Sequence, residues 1–408
     1  MSLLLKLGWR NIWRNKRRSI ITILAVTFAV MLSIAMRGIQ LGTYDVNIRH
    51  VVELFAGYIQ IQVPGYQKNP TLQKSFSPTD RLLAFMRSDS RIVGSAPRIV
   101  GDGLVSLRDK SQGALLFGVS PNDERLASKL MGRVVHGRFL LEGQDTEVVV
   151  GDKLFENLSA SIGEQIVVLA QGYDGSLGNL KFTIVGTVKT GMPEFDQSSV
   201  FMTLPAAQEL LVMDGKVSVL TLRLRDLSEI DPVKESLREP LGEGLVALSW
   251  KEVLPDFDQS IQLDNVSGML TLAILIIVVA FGITNTVLMS VTERFREFGI
   301  ILSVGMQPKK LVVLVFLETM IIVLIGLILG NVLAAGINLY IMNNPIVFSG
   351  DFEQMYAEYG FLPRLESTLR LSSFLNISLS VLGISVIAMF YPIAKVIRLE
   401  PLKGIRHT

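Results

Sequence analysis

The residues best placed to do chemistry in this 408-residue chain are charges, not nucleophiles or metal ligands. There is no cysteine, and the three histidines, His50, His136 and His407, are far apart in sequence. No HExxH or His–Cys spacing occurs, so a metal site has no support. The GxSxG turn that exposes a serine nucleophile is absent. So is the GxxxxGK[ST] loop that cradles nucleotide phosphates. No pair of carboxylates has a spacing that argues for acid–base work. What remains is Thr292–Lys310, TERFREFGIILSVGMQPKK, with six charges in nineteen residues between two of the most apolar segments of the chain. Its chemistry is that of contact, with apolar side chains to anchor and charges to fix orientation.

Phe295, Phe298, Ile301 and Leu302 recur there at three- and four-residue steps, and Glu293, Arg294, Arg296 and Glu297 lie at the start. The pattern predicts a short amphipathic helix along a membrane surface. Acidic residues suit its N-terminus, and Gly305 and Pro308 end it. A solvated linker that pins two spans is the alternative reading.

The elements that must position this segment are membrane spans. Charge is only 19% of the residues and is unevenly placed, which leaves four long apolar windows. They are Ser19–Met36, a core near Gly268–Met289, a run from Lys310 past Tyr340 broken only by Glu318, and the stretch between Arg370 and Lys395. Each approaches the roughly 20 apolar residues that a helix needs to cross a bilayer. The first is too long for a signal peptide and lacks a cleavage site, so it reads as a retained span. Lys6, Arg10, Arg14, Lys16, Arg17 and Arg18 precede it. Arg294, Arg296, Lys309 and Lys310 follow the second span, and Lys395, Arg398, Lys403 and Arg406 follow the fourth. The loop between the third and fourth is acidic, with Asp351, Glu353, Glu358 and Glu366 against Arg364 and Arg370. The positive-inside rule puts the three basic flanks in the cytoplasm. A net charge of +2, and a span directly after the basic run, argue against a nucleic-acid partner.

The expected fold is a membrane protein of four transmembrane α-helices with a large α+β extracytoplasmic domain between helices 1 and 2. Residues 1–18 form a cytoplasmic amphipathic segment, 19–40 the first span, 41–265 the outer domain and 266–290 the second span. Residues 291–310 form the charged helix, 311–341 the third span, 342–370 an outer loop, 371–394 the fourth span and 395–408 a cytoplasmic tail. In the outer domain YIQIQV, ALLFGV, EVVVG, EQIVVLA, KFTIVGTV, SVFMTL and VSVLTLRL read as strands, and PTDRLLAFMRS, GDKLFENLSA, LPAAQELLVM and DPVKESLRE as helices. A polar tip, Leu169–Phe182, holds Gly172, Tyr173, Asp174, Gly175, Gly178 and Asn179. It reads as a hairpin turn or as a protruding loop that meets a partner. Glu318 is an ionisable residue inside a span, a functional position by default. Gly326–Gly330, GLILG, is a GxxxG pattern that allows close helix packing.

ERFREFGIILSVGMQPKKL resembles the signature of ABC-transporter permeases of the MacB/FtsX/LolC–LolE superfamily. LGWRNIWRNKRRSIITILAV is similar to that family's entry into its first span. YPIAKVIRLEPLKGIR resembles its closing pattern, with Gly404 and Ile405 in place of the usual Ala-Leu. GRFLLEGQDTEVVVGDKLFENLSASIGEQIVV resembles its outer domain, and FTIVGTVKTGMPEFDQSSVFMTLPAAQELL is closest to the lipoprotein-releasing LolC/LolE branch. The resemblance implies a mechanotransmission permease in the bacterial inner membrane, not an enzyme, that carries no cofactor of its own. ATP and Mg would be bound by a separate cytoplasmic ATPase dimer. Glu293, Arg294, Arg296, Glu297, Phe298 and Gly299 would dock on that ATPase as a coupling helix. A second permease copy or a paralogue would complete the transporter within the lipid bilayer. A lipoprotein's acyl chains would enter laterally between the first span and the second span of the partner copy, past Met31, Ile34 and Met36 on the first and Val266, Met269 and Leu270 on the second. The tip at Gly172–Asn179 lies where the LolC branch hooks a periplasmic lipoprotein carrier; that hook carries proline and this tip has none. Export of another amphiphile or peptide with a periplasmic adaptor, and FtsX-like signalling to a cell-wall hydrolase, are the alternatives.

Overall fold

The computed structural model describes residues 2–14, 16–358 and 361–397. The tail cations Arg398, Lys403 and Arg406, with Gly404, Ile405 and His407, lie outside the described residues, as does the side chain of Glu358. The chain divides into two compact units. The membrane unit comprises Met1–Tyr44, Ile261–Val347 and Arg364–Thr408, and the outer unit Asp45–Ser260 and Phe348–Pro363.

The first helices are α1 (Ser2–Arg14) and α2 (Lys16–Val51). The span expected at 19–40 understates α2, because a helix need not stop where its apolar run ends. A π-helical turn at Val52–Ala56 follows, closed by Gly57.

The outer unit then runs through β1 (Ile59–Gln62), α3 (Asp80–Ser88), β2 (Ile92–Leu107), β3 (Lys110–Val119), α4 (Pro121–Ala127) and β4 (Val134–Gly137). It continues with β5 (Glu147–Gly151), α5 (Asp152–Leu158), β6 (Gln165–Gln171), β7 (Leu177–Val188), α6 (Pro193–Ser198) and β8 (Ser199–Thr203). It ends with α7 (Leu204–Leu211), β9 (Val219–Leu224), α8 (Ile230–Leu241), β10 (Val246–Ser249) and α9 (Trp250–Val253). Thr79, Ser120 and Thr203 cap α3, α4 and α7 by accepting backbone N–H bonds, which satisfies donors that the first helical turn leaves free.

Ten strands form one sheet. The pairings β2–β3, β3–β8, β8–β5, β5–β7, β7–β6 and β6–β2 close a six-strand ring. Closure removes the unpaired edges of those strands. β3–β8 and β5–β7 are parallel, the other four antiparallel. β9, β1 and β10 extend from β2 as a wing. β2 belongs to both, since Ile92–Arg98 pairs with β9 and Gly103–Ser106 with β6. The first core, including Leu116, Val150, Ile166, Phe182 and Met202, draws on the ring strands together with α5 and α7.

A second core gathers Phe117, Phe139 and Phe201, with Phe55 of the π turn and Phe195 packed against them. Phe117 and Phe201 stack with centroids 5.2 Å apart, and Phe55 meets Phe117 edge-on at 4.9 Å. Arg98 is fully buried beside this cluster. Its Nε and Nη2 donate to Glu124 at 3.0 and 2.6 Å, its Nη1 donates to the Phe55 carbonyl, and its guanidinium lies 3.8 Å from the Phe55 ring centroid. Each group in this buried pair is therefore compensated.

In the membrane unit follow α10 (Pro255–Glu293), α11 (Phe295–Ser303) and α12 (Pro308–Asn343). β11 (Ile346–Val347), α13 (Asp351–Glu358), β12 (Arg364–Leu365), α14 (Leu371–Ala388) and α15 (Phe390–Ile397) complete the chain. Four helical stretches are long and apolar enough to cross a membrane. The expected outer loop at 342–370 is not one piece. β11 and β12 pair with each other, whereas 348–363 packs with the outer unit through a Leu362 N–H bond to Asn47 Oδ1 (2.7 Å) and a Phe257–Phe361 contact. Pro392 explains the break between α14 and α15, because its ring displaces the carbonyl four residues back. That carbonyl, Ala388 O, accepts instead from Thr284 Oγ1 at 3.3 Å.

α12 is the centre of the bundle. A Cβ on Gly326 or Gly330 would lie 2.8 Å from the Cβ of Val26 or Val30, so the GxxxG pattern lets α2 and α12 pack closely. α10 buries one stripe, Val279, Ile283, Val287 and Val291. Only 11% of its most apolar window is covered, against 44% for α12.

Glu124→Ala strands the Arg98 charge and is expected to destabilise the outer unit by about 3–5 kcal/mol. Denaturant unfolding followed by fluorescence of buried Trp250, in a Trp9→Phe/Trp13→Phe background, measures this. A shift under about 1 kcal/mol contradicts the role given to the pair. Arg98→Met with Glu124→Leu should cost less than either single change.

Candidate functional site

The charged segment folds as expected, as a short helix that turns the chain from α10 into α12. Phe295, Phe298, Ile301 and Leu302 form its inner face: Phe298 is buried and the other three are partly covered. Glu293 closes α10 and Arg294 is the N-cap of α11.

Beneath α11 lies a bracket of charge. Arg294 Nη1 donates to Glu318 Oε2 at 2.9 Å and its Nε to Glu297 Oε2 at 3.1 Å. Its guanidinium sits 4.8 Å from the Phe298 ring centroid. Asn11 Nδ2 donates to the other Glu318 oxygen at 2.5 Å. Arg14 pairs with Glu297 at 2.5 Å and Arg18 with Glu293 at 2.6 Å. A Cβ at Gly8 of α1 would lie in ordinary contact with the Glu318 stem, 3.6 Å from its Cγ, so α1 packs directly beside it. The bracket thus joins α1, the start of α2, α11 and α12. Burial alone would raise the Glu297 carboxyl, but hydrogen bonds and charge from Arg294 and Arg14 outweigh it and hold the group below the usual carboxylate range. The stabilisation that follows is complete above the ordinary glutamate value, near 4.3. It is lost as pH falls through the lower folded value.

Six residues expected to dock together are therefore split by burial. Arg294, Phe298 and Gly299 face inward and hold α11 to the bundle; Glu293, Arg296 and Glu297 are exposed. The inward set cannot also cover an outside partner, because a buried side chain has no free face. Ile300 (50% exposed) and Val304 (85%) complete the outward face and were not singled out by the sequence pattern. Their spacing from Arg296, four and eight residues on, was the signal.

The six candidates for a substrate path also separate. Ile34 is fully buried in the bundle core and its carbonyl faces Asn338 Nδ2 at 3.4 Å; Met31 packs against the same core. Ile34 is thus not open to a path. Met36, Val266, Met269 and Leu270 are exposed. Just outward of them, α2 and α10 are tied by Arg37 Nη1 to Asn265 Oδ1 (2.7 Å), by Gln40 Nε2 to Asp264 Oδ2 (3.1 Å), and by a Tyr44 hydroxyl bond to the same Asp264 oxygen.

The outer tip is a hairpin turn over Gly172–Ser176, not a long protrusion. Asp174 accepts from the Ser176 N–H and hydroxyl at 2.9 and 2.6 Å, which holds its carboxyl below the usual range. Gly175 supplies the positive φ of +85°. Tyr173 N donates to Leu211 O at 2.7 Å, and Lys216 Nζ lies 3.7 Å from the Tyr173 ring centroid. Gly178 and Asn179 are strand residues of β7, opposite Ala170 and Leu169. The turn is shorter than expected because β-pairing continues to Leu177. Among the described residues no cluster of metal-ligating side chains occurs.

A four-helix bundle with a charged elbow and an outer α+β unit after the first span defines a membrane permease. Residues 19–239 match the MacB-like periplasmic core domain and residues 269–401 the C-terminal part of FtsX-like permeases, and the chain belongs to this family of ABC transporter permease subunits. The lipoprotein-releasing system transmembrane protein LolC of Neisseria meningitidis serogroup B is 24% identical, over 98% of each chain. LolC of Xylella fastidiosa is 22% identical over 94% of each chain. The macrolide export ATP-binding/permease protein MacB of Bdellovibrio bacteriovorus is 20% identical over 98% of this chain and 61% of that one.

Phe298→Ala is expected to destabilise the bundle by about 3–5 kcal/mol. Glu318→Ala, which removes the buried carboxylate facing Arg294 Nη1 and leaves only Glu297 as its partner, should also be destabilising. Arg296→Ala should stay within about 0.5 kcal/mol of the parent. Thermal unfolding in detergent sorts the three; a stable Phe298→Ala protein contradicts the assigned inner face.

Proposed function

We propose that this subunit releases lipoproteins from the bacterial inner membrane to a periplasmic carrier. The observation that carries this reading is the alignment with LolC from end to end of both chains. ATP and Mg would be bound by a cytoplasmic ATPase dimer, and a second permease copy or paralogue would complete the transporter. The outward face of α11, with Arg296, Ile300 and Val304, is the surface the ATPase would meet. The bracket around Arg294 passes the push to the bundle, because α11 cannot move without α1 and α12.

The exposed Met36, Val266, Met269 and Leu270 supply an apolar, partly methionine-lined surface near the outer ends of α2 and α10. Such a surface adapts to acyl chains of varied shape. The polar ties at Arg37–Asn265 and Tyr44–Asp264 hold the same chain's α2 and α10 together there. Entry between those two helices would have to break them. Lateral entry between α2 of one subunit and α10 of the other leaves them intact.

The test is reconstitution in proteoliposomes with the ATPase, a triacylated lipoprotein and a soluble carrier. ATP-dependent transfer to the carrier is expected; an active ATPase with no transfer overturns the reading. Met269→Ser with Leu270→Ser should lower transfer about tenfold through lost apolar contact, with ATP hydrolysis within about twofold. Arg296→Glu with Val304→Asp should weaken ATPase co-purification by about thirtyfold or more, as loss of an interface anchor does, without lowering the melting temperature. Undiminished co-purification places the ATPase elsewhere.

A further inference from the structure

The cytoplasmic end of the bundle carries a second feature that the transport reading does not use. Between the start of α2 and the end of α10 lies an open groove of about 910 Å³. Arg14, Lys16, Arg17 and Arg18 line it, against one carboxylate, Glu293. Arg14 and Arg18 have carboxylate partners. Lys16 and Arg17 are exposed and have none among the described residues. Arg18 Nη1 is buried without a hydrogen-bond partner. Below the cations the wall turns apolar, with Ile21 and Met289 each more than half exposed.

We infer that this groove binds the headgroup of an anionic phospholipid of the inner leaflet, with its acyl chains along Ile21 and Met289. Two observations fix the occupant. The first is the pairing of a cationic rim with an apolar wall, which matches a phosphate joined to hydrocarbon and not a free phosphate. The second is depth. Leu5, Trp9 and Trp13 form an exposed stripe on α1 at four-residue steps, with Trp9 and Trp13 edge-to-face at 5.9 Å. Exposed Lys6 and Arg10 flank it. Tryptophan beside lysine and arginine seats a helix at the headgroup level, and the groove begins one turn later. Basic pockets between membrane helices on the cytoplasmic side hold such headgroups. The inference does not depend on which cargo the transporter moves.

Native mass spectrometry of the full-length protein, with phosphatidylglycerol or phosphatidylcholine added, tests it. Phosphatidylglycerol should be retained over phosphatidylcholine, and millimolar inorganic phosphate should not displace it. Arg17→Gln should weaken retention about fivefold and Lys16→Gln/Arg17→Gln roughly thirtyfold. Lys309→Gln/Lys310→Gln removes the same charge from the same side outside the groove, and should change retention by less than about twofold. If the double variant in the groove fails to fold, Arg17→Gln alone decides. Equal retention of the two lipids, equal loss in the Lys309/Lys310 pair, or displacement by phosphate overturns the proposal.

Discussion

The ion pair between Arg294 and Glu318 is the constraint on which the membrane unit depends. Both side chains are largely withdrawn from solvent, at 7% and 12% exposure. A charge in that position is costly unless its hydrogen-bonding capacity is used. Here it is used: Glu318 accepts from Arg294 and Asn11, while Arg294 also donates to Glu297 and lies over Phe298. The satisfaction of each group depends on three helices being in place at once. The pair therefore specifies an arrangement more than it adds stability, and the arrangement it specifies is the seat of α11.

A similar device recurs in the outer unit with different partners. Arg98 and Glu124 satisfy each other, and the remaining Arg98 donor goes to the backbone of the π-helical turn that follows α2. Phe55 of that turn is held by the guanidinium, 3.8 Å from its ring centroid, and by contacts with Phe117 and Phe195. The π-helical turn is thus part of the outer unit's own core. In both units a buried arginine orders the place where one element ends and the next begins.

Much of this was legible in the sequence. The spans, their charged flanks and the amphipathic elbow follow from composition and period, and each strand and helix singled out in the outer domain has its counterpart. β2, the longest strand, is not among the runs that stand out as strands, because Gly94, Pro97, Gly101 and Gly103 interrupt its apolar pattern. In the fold Gly94 and Gly103 admit the backbones of Leu126 and Leu169 at distances no Cβ would tolerate, and Pro97 precedes the start of pairing with β3. The docking residues were legible as a group but not by face. Period alone shows that Phe298 is apolar; it does not show that Arg294 turns inward to meet a carboxylate 24 residues later. Glu318 stood out as an ionisable residue in a span, yet its partners on α1 and α11 come from tertiary packing that no local pattern encodes.

The buried part of the stripe by which α10 rests on the bundle consists of β-branched side chains, Val279, Ile283, Val287 and Val291, with Leu272 and Ile276 packed less deeply on the same core. In a helix such residues are confined almost wholly to one χ1 rotamer. The contact is a rail of fixed profile, with little capacity to reshape by rotamer exchange. A push on α10 would therefore favour a slide or a lift of the whole helix over local reshaping of the stripe. A leucine or methionine stripe would absorb the same push by local rearrangement, and less of it would reach the far end of the helix.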